Sequence, residues 1–561
     1  MKLATTILVL IAATAAAETQ PPSSLKEPIT FRFHPVSVGQ KRAFHVEVRF
    51  RVARAVTPIV VPTSWGDASH LEGQTQNLKI LTSGATLVAG AKLGLKELHA
   101  RPGQQVALAY DIVPLQTEWF RHPQEHMAII NDDYFLFNIE NALVYPQLPR
   151  TDIVSATFDW RALSKGTPFV SSFGVGQRLL QVRAPWYQVL DTLFAGGHFR
   201  MTQSHENGTS LVLAARGTWR FTDAEAFVQI RRVVDTENKF WHVQQMPFFL
   251  VTLAPFDEKS GDNDGSGFTN AFMLFLSHED TFDAERLRLL AHEMFHHWNP
   301  LSMGPVSGDE SLQWFTEGFT VYYDATIPLR AALISYADYL EYLNRRLQEY
   351  QTSPLRKVTN AEWRKMSHSS GPGSVLPYAR GAAIALWADT AIRERSDGRF
   401  SLDNVMLDLV NEAQVSKPRE LNEDRVFRAL ARYLGPEQVS TIRSMALDGA
   451  EVPLPERLAG CARLAQVTRT VVDPGFDENS LDTKHIAGVD PEGSAYRAGI
   501  RDGQEVFRVS IYHNDPSKEV LLGAVINGKR EMIQYSAAKQ QIIPQYQATV
   551  EEKLARTCRP F

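Results

Sequence analysis

The sequence predicts a multidomain α+β protein: an N-terminal β-sandwich-like part, a mixed centre that turns helical, and a β-rich C-terminal part. Three observations predict it. Period-two alternation of apolar and polar residues recurs through roughly the first 190 residues, helical signals dominate from about 281 to 447, and strand-like runs return over the last hundred residues. The 561 residues allow three or four domains at about 150 residues each.

Composition narrows the class. Hydrophobic residues make up 44% and charged residues 22%, while 34 Gly and 30 Pro are scattered without a period. That excludes disorder, collagen and coiled coil as the main architecture. The net charge of −5 provides no global attraction to nucleic acid or to anionic lipid, so no nucleic-acid partner is expected.

The chain opens MKLATTILVLIAATAAAETQ. Lys2, a short apolar run and Ala15-Ala16-Ala17 make residues 1–17 an expected secretory signal, cut after Ala17. The alternative is an uncleaved anchor or a buried first helix. No later run reaches about 18 uncharged apolar residues, so no integral membrane segment is expected in the mature chain. Export leaves periplasmic and secreted locations equally open. In an oxidising compartment the two cysteines, Cys461 and Cys558, are expected to pair. Their separation of 97 positions would give about 4–5 kcal/mol in the chain-entropy model. The alternative is two separately buried thiols.

The elements follow in order. Phe44–Val52 and Val106–Val113 alternate as half-buried strands of the N-terminal β domain, 18–190. A strand pair is expected after Gly196. Thr222 and Glu225 have capping-box spacing for a helix to about 238. Pro247–Pro255 reads as a buried strand, and 257–267, rich in Gly and Asp, as a solvated turn. That turn fails the twelve-residue calcium-loop pattern, whose first position would be Ser260 and last Ala271. Thr281 is the expected cap of the next helix, with Asp283 and Glu285 in its first turn. The central domain spans 191–450. Val452-Pro-Leu-Pro455 is a linker, and 456–561 a β-rich unit flanked by both cysteines.

The informative stretch is His292-Glu293-Met-Phe-His296-His297-Trp298-Asn299. Residues four apart on a helix share a face, so His292 and His296 can bind one cation together. Glu293 sits about 100° round the helix, able to reach a water without being a ligand. Chance supplies about 0.03 such H-E-x-x-H motifs in a chain like this. The bland reading is a helix with two surface histidines. Against it, Trp314-Phe-Thr-Glu317-Gly-Phe-Thr-Val-Tyr-Tyr323 puts one carboxylate among aromatic residues, and a buried carboxylate calls for a cation. Two imidazoles and one carboxylate are the ligands of a catalytic Zn2+ with an open position. Zinc would acidify a water, Glu293 would take its proton, and the hydroxide would attack an amide carbon. His297 has no histidine four residues away and is expected to support the site from outside the ligand set or to lie on the surface. Tyr378, between a Gly/Pro loop and an apolar helix, is on its own either a packing residue or a hydrogen-bond donor. Tyr322 and Tyr323 are expected to pack.

These residues resemble the glycyl aminopeptidase family of gluzincin metallopeptidases and, more distantly, aminopeptidase N. The resemblance rests on H-E-M-F-H-H-W-N at 292–299, W-F-T-E-G-F-T-V-Y-Y at 314–323 and P-Y-A-R-G-A at 377–382. It implies His292, His296 and Glu317 as zinc ligands, Glu293 as general base, and Tyr378 as the donor to the oxyanion. It also implies a β domain, a thermolysin-like catalytic domain with a helical half, and a C-terminal PDZ-like domain, the last carried by Pro491–Gly503. The bland reading of that stretch is a Gly-rich turn.

Two departures stand out. Where the family carries a G-G-L-E-H-like strand for substrate, this chain has Gly265, Gly267, Thr269 and Asn270, with the acidic residue replaced by Thr269 and the histidine by Asn270. The two glycines still permit close approach of substrate to backbone. The interval from His296 to Glu317 is also shorter than in many members. The sequence therefore points to an exported zinc metallopeptidase acting on peptides or proteins, aminopeptidase-like. The alternatives are an endo- or oligopeptidase, and a peptide-binding protein with a vestigial metal site.

Overall fold

A computed structural model describes residues 27–66, 68–115, 126–242, 247–256, 263–306, 312–366, 372–415, 420–458, 461–512 and 515–549. The expected leader, Ser260 and Cys558 lie outside the described residues. The chain divides into two compact units, 1–199 and 200–561.

The first unit is β-rich. The alternation in Lys41–Arg51 buries Phe44, Val46, Val48 and Phe50 on one face. This strand lies in a six-stranded sheet between Ile29–Val38 and Gln105–Ile112. A five-stranded sheet contains Tyr134–Asn138 and Leu193–Gly197. Aromatic side chains from both sheets make one core, with Trp160 stacked on Phe33 at 3.7 Å and on Phe135 at 5.2 Å. The boundary expected at 190 falls at 199, because Leu193–Gly197 pairs with Tyr134–Asn138 and Phe169–Ser171.

The second unit begins with a five-stranded sheet in the order Arg200–Glu206, Thr209–Ala215, Phe248–Phe256, Ala271–Ser277, Asn263–Phe268. Helix Asp223–Phe240 opens on a capping box in which Thr222 and Glu225 hold each other's backbone N–H. It buries Ala226, Ile230, Val233 and Val234 in the core shared with the sheet. The solvated turn expected over 257–267 is corrected for its second half: Asn263–Phe268 is the edge strand, antiparallel to Ala271–Ser277. Glycine and aspartate weaken strand propensity, but the ladder to Phe272–Leu276 overrides it.

The helical half follows: the histidine helix Ala284–Phe295, the glutamate helix Gly318–Arg330, helix Tyr336–Thr352, and the tyrosine helix Pro372–Arg395. Every residue of the glutamate helix from Gly318 to Pro328 is buried, as its aromatic sequence requires.

The C-terminal stretch does not stand apart along its whole length. Strands Ala462–Val472 and Ala538–Ala548 pair with each other, and Leu458, Cys461, Ala462 and Tyr546 join the core of the helical half. Asn344 bridges the two parts, donating to Tyr546 O (2.8 Å) and accepting from Tyr546 N–H (2.7 Å). The remainder has its own small core of Ile486, Ile500, Val520, Leu522 and Tyr535 around a three-stranded sheet, with the short helix Ser494–Arg497.

Candidate metal centre

The histidine helix starts two residues later than Thr281 suggested. Asp283 is its cap, its Oδ1 accepting the N–H of Glu285 and Arg286 at 3.0 and 3.3 Å. Thr281 instead donates its hydroxyl to Asp283 Oδ2. A carboxylate takes two helix-start amides and also suits the dipole, so it displaces the hydroxyl. His296 caps the C-terminal end of this helix with helical angles, φ −62° and ψ −19°, so the four-residue spacing from His292 is preserved. The helical path then breaks at Asn299, at φ −109° and ψ 95°.

Asn299 joins the two halves of the site. It is fully buried, and its backbone oxygen meets His296 Nδ1 at 2.8 Å. Its side-chain amide donates to Phe315 O, Thr316 O and Thr320 Oγ1 at 3.2–3.3 Å. One residue therefore aims an imidazole and fixes the entrance to the glutamate helix.

The three expected ligands converge. His292 Nε2 and His296 Nε2 are 3.1 Å apart, and each lies 3.4 and 3.3 Å, respectively, from Glu317 Oε2. Corners of a tetrahedron with bonds of about 2.0–2.1 Å are about 3.3–3.4 Å apart, so the donors fit one zinc-sized ion. Among the described residues this is the group of three or more such side chains with metal-ligating spacing. Behind His292, Asp324 Oδ2 stands 3.5 Å from Nδ1 and accepts the Tyr342 hydroxyl at 2.7 Å.

The electrostatics follow from that packing. Burial works against a charged His292, but Asp324 and Glu317 as hydrogen-bond acceptors and the Glu293 charge outweigh it, raising its pKa to about 10. Burial would raise the Glu317 carboxyl, yet the His296 charge and hydrogen bonds from both histidines hold it well below the usual range. His297 is half-buried rather than on the surface, and burial pushes it down to about 4.

Glu293 lies beside the ligand triangle, its Oε2 accepting the Gly267 N–H at 2.9 Å. A Cβ at Gly267 would stand 2.8 Å from Glu293 O, so the edge strand touches the histidine helix at that glycine. The close approach expected at Gly267 is thus made by Glu293. Gly265 is in the same strand, next to the Phe272 ring. Thr269 is buried, and Asn270, at φ 50°, makes the turn between the strands. The Tyr378 ring lies over His292, centroids 6.2 Å apart and planes 18° apart. Its neighbour Arg380 is buried and ties down the preceding turn through Leu355 O, Arg356 O and Val358 O. Tyr322 and Tyr323 do pack, their hydroxyls on Asp389 and Asp403. Cys461 is fully buried. Asp324, Asn299 and Tyr342 were not among the residues singled out from sequence. Asp324 carried a signal, since it lies seven residues, or two turns, beyond Glu317.

Two histidines and a glutamate converging beside a second glutamate are the side-chain set of the metallopeptidase class. Within that class the chain resembles the glycyl aminopeptidases: residues 285–372 match the M61 glycyl aminopeptidase family model. Among solved structures, the aminopeptidase N family protein of Idiomarina loihiensis superposes with a TM-score of 0.65 at 15% identity, covering 92% of this chain and 98% of that one. The M1 zinc metallopeptidase of Deinococcus radiodurans gives 0.47 at 14%, over 78% and 98%. Leukotriene A4 hydrolase of Saccharomyces cerevisiae gives 0.49 at 12%, over 77% and 69%. A search of curated protein sequences gives no match.

Proposed function

We propose that the protein is an exported zinc metallopeptidase of aminopeptidase-like action, with a PDZ-like C-terminal module. The observation that carries the reading is the 3.1–3.4 Å triangle of His292, His296 and Glu317 donor atoms with the Glu293 carboxylate beside it. Zinc held there supplies Lewis-acid chemistry, acidifying a water and polarising the substrate carbonyl. Glu293, aimed by the Gly267 N–H, takes the proton of the attacking water and returns it to the leaving nitrogen. Tyr378 donates its hydroxyl to the oxyanion that develops on the substrate carbonyl, and its place over His292 supports that role. Asp324 and Asn299 orient the two imidazoles.

Export rests on the leading apolar segment, and the Cys461–Cys558 pairing would follow from it. No described helix is long and apolar enough to cross a membrane. The second reading, an endo- or oligopeptidase, is favoured by one feature: Thr269 stands where relatives place an acidic residue for the substrate amine, and it is buried. The intact set of His292, Glu293, His296, Glu317 and Tyr378 argues against a vestigial site.

Purified protein is expected to carry about one zinc per chain, to lose peptide cleavage with chelator, and to regain it with zinc. Free-amine and N-acetylated forms of one peptide separate the two readings. Cleavage of the free amine alone supports the aminopeptidase, and equal cleavage of both transfers the case to the endopeptidase. Binding of both without cleavage of either would leave only a peptide-binding protein.

A further inference from the structure

Three guanidinium groups gather round one phenol behind the candidate metal centre. Arg288 stands over the Tyr342 ring at 4.3 Å from its centroid, with Arg346 at 5.2 Å and Arg345 at 5.3 Å. The three cations differ in what else they meet. Arg346 is paired with Glu349 at 2.8 Å, and Arg345 lines a cleft of about 1160 Å³. Arg288 is 8% exposed and makes no hydrogen bond or ion pair among the described residues. A buried cation without a hydrogen-bonded partner is costly, and the face of an aromatic ring is the surface that compensates it. Arg288 is thus the closest of the three to the ring and the one most dependent on it.

The histidine helix puts it there. Arg288 precedes His292 by four residues, so the two share a helix face. The Tyr342 hydroxyl donates to Asp324 Oδ2 at 2.7 Å, and that same oxygen stands 3.5 Å from His292 Nδ1. Asp324 Oδ1 has no hydrogen-bond partner among the described residues. The direction of this carboxylate therefore depends on one hydroxyl, and the place of that hydroxyl on where the ring is held. Burial, and next the Asp324 charge, keep the Tyr342 pKa well above the usual phenol value, so the hydroxyl remains a donor. Burial lowers the Arg288 pKa, and the Asp324 charge is the strongest influence opposing it. Arg288 and Asp324 thus favour each other across the phenol that both of them use.

We propose that Arg288 is a positioning residue of the metal centre. From one turn before His292 it holds the Tyr342 ring, and through the ring's hydroxyl it holds the Asp324 carboxylate toward the His292 imidazole. It acts through other side chains and is itself outside the donor triangle. The proposal rests on the zinc reading above and extends the support of His292 to a residue on its own helix.

The test is zinc affinity of the full chain, read by competition with a chelator of known affinity and without turnover. Arg288→Met removes the charge and keeps an unbranched side chain. It should weaken zinc binding about fivefold, less than the loss of a direct partner of the imidazole. Arg288→Lys keeps a cation for the ring and should stay within about twofold of the parent. In the Tyr342→Phe protein, which lacks the hydroxyl, Arg288→Met should cost less than about twofold, because the two substitutions break one chain of contacts. Arg288→Gln gives the same reading if the methionine variant fails to fold. Tm of the zinc-free proteins reports packing separately. A lowered Tm with parental zinc affinity in the uncharged variants overturns the proposal and leaves Arg288 a packing residue. A lysine variant as weak as the methionine one overturns it, and so does a loss that adds in full to that of Tyr342→Phe. In each of these outcomes the parent still binds zinc, so the metallopeptidase reading stands. A parent that binds no zinc overturns that reading and this proposal together.

Discussion

Gly318 and Gly381 meet backbone to backbone. A Cβ on Gly381 would stand 2.6 Å from the Gly318 Cα and would overlap the Trp314 carbonyl oxygen. Gly318 follows Glu317 of the donor triangle, and Gly381 lies three residues after Tyr378. The contact of these two helices therefore sets where the phenol stands relative to the metal-binding triangle.

Gly381→Ala should force the glutamate and tyrosine helices apart. Overpacking of this kind costs about 1–3 kcal/mol or more, and here it also displaces Tyr378. The expected result is a lowered Tm together with a fall in kcat that exceeds any change in zinc content. Gly166→Ala is the control, since a Cβ there meets nothing within 4 Å. A Gly381→Ala protein with unchanged Tm and kcat would show that the crossing has slack.

Glu293→Gln tests the proposed base. Glu293 is outside the three-atom donor set, so the variant should keep its zinc, and a glutamine Oε1 can still accept the Gly267 N–H. Loss of general-base catalysis lowers kcat by about 10²–10⁴. Metal content and kcat measured on the same preparation check it. More than about a tenth of the original kcat, with zinc in place, would assign the base elsewhere.

The parts of the site written in local periodicity were legible in the sequence. Two histidines four apart on a helix share a face whatever surrounds them, and an isolated acid in an aromatic helix implies a cation. Asn299 could not be read this way, because its partners Phe315, Thr316 and Thr320 come within reach only through tertiary folding. Tyr342 is hidden for the same reason. Gly267 was legible as a close-approach position, but not what approaches it. The edge strand Asn263–Phe268 was misread because its residues favour turns and its pairing is supplied by Ala271–Ser277. Thr281 was expected as the cap with Asp283 in the first turn, and only the positions of the Glu285 and Arg286 amides make Asp283 the cap instead.

The pair behind His292 should govern metal retention. Asp324→Asn leaves the shape but removes the charge facing Nδ1, and Tyr342→Phe removes the hydroxyl that holds Asp324. Losing a partner of a metal-binding histidine typically weakens affinity about 10–100-fold. Competition with a chelator of known affinity measures this without reference to turnover. Asp324→Asn should show the larger effect and Tyr342→Phe a smaller one in the same direction. Wild-type affinity in both would mean that His292 is oriented by its helix alone.

Glu237 gives the fold a pH dependence separate from the ligands. It is fully buried in helix Asp223–Phe240, and neither carboxyl oxygen has a hydrogen-bond partner among the described residues. The Trp241 indole N–H lies near it without completing a hydrogen bond. Burial raises its pKa well above the carboxylate range, against the pull of the His292 charge. The folded protein therefore keeps this proton at pH values where the unfolded chain has lost it. Below the unfolded pKa, about 4.5, both states are protonated and the group is neutral in the balance. Above it, stability falls by about 1.4 kcal/mol per pH unit until the folded pKa is reached. Glu237→Gln removes that slope while keeping the shape. The variant should match the parent near pH 5 and exceed it at pH 8, as read by urea denaturation at both. Parallel stability profiles would mean that the carboxyl ionises in the fold and finds compensation there.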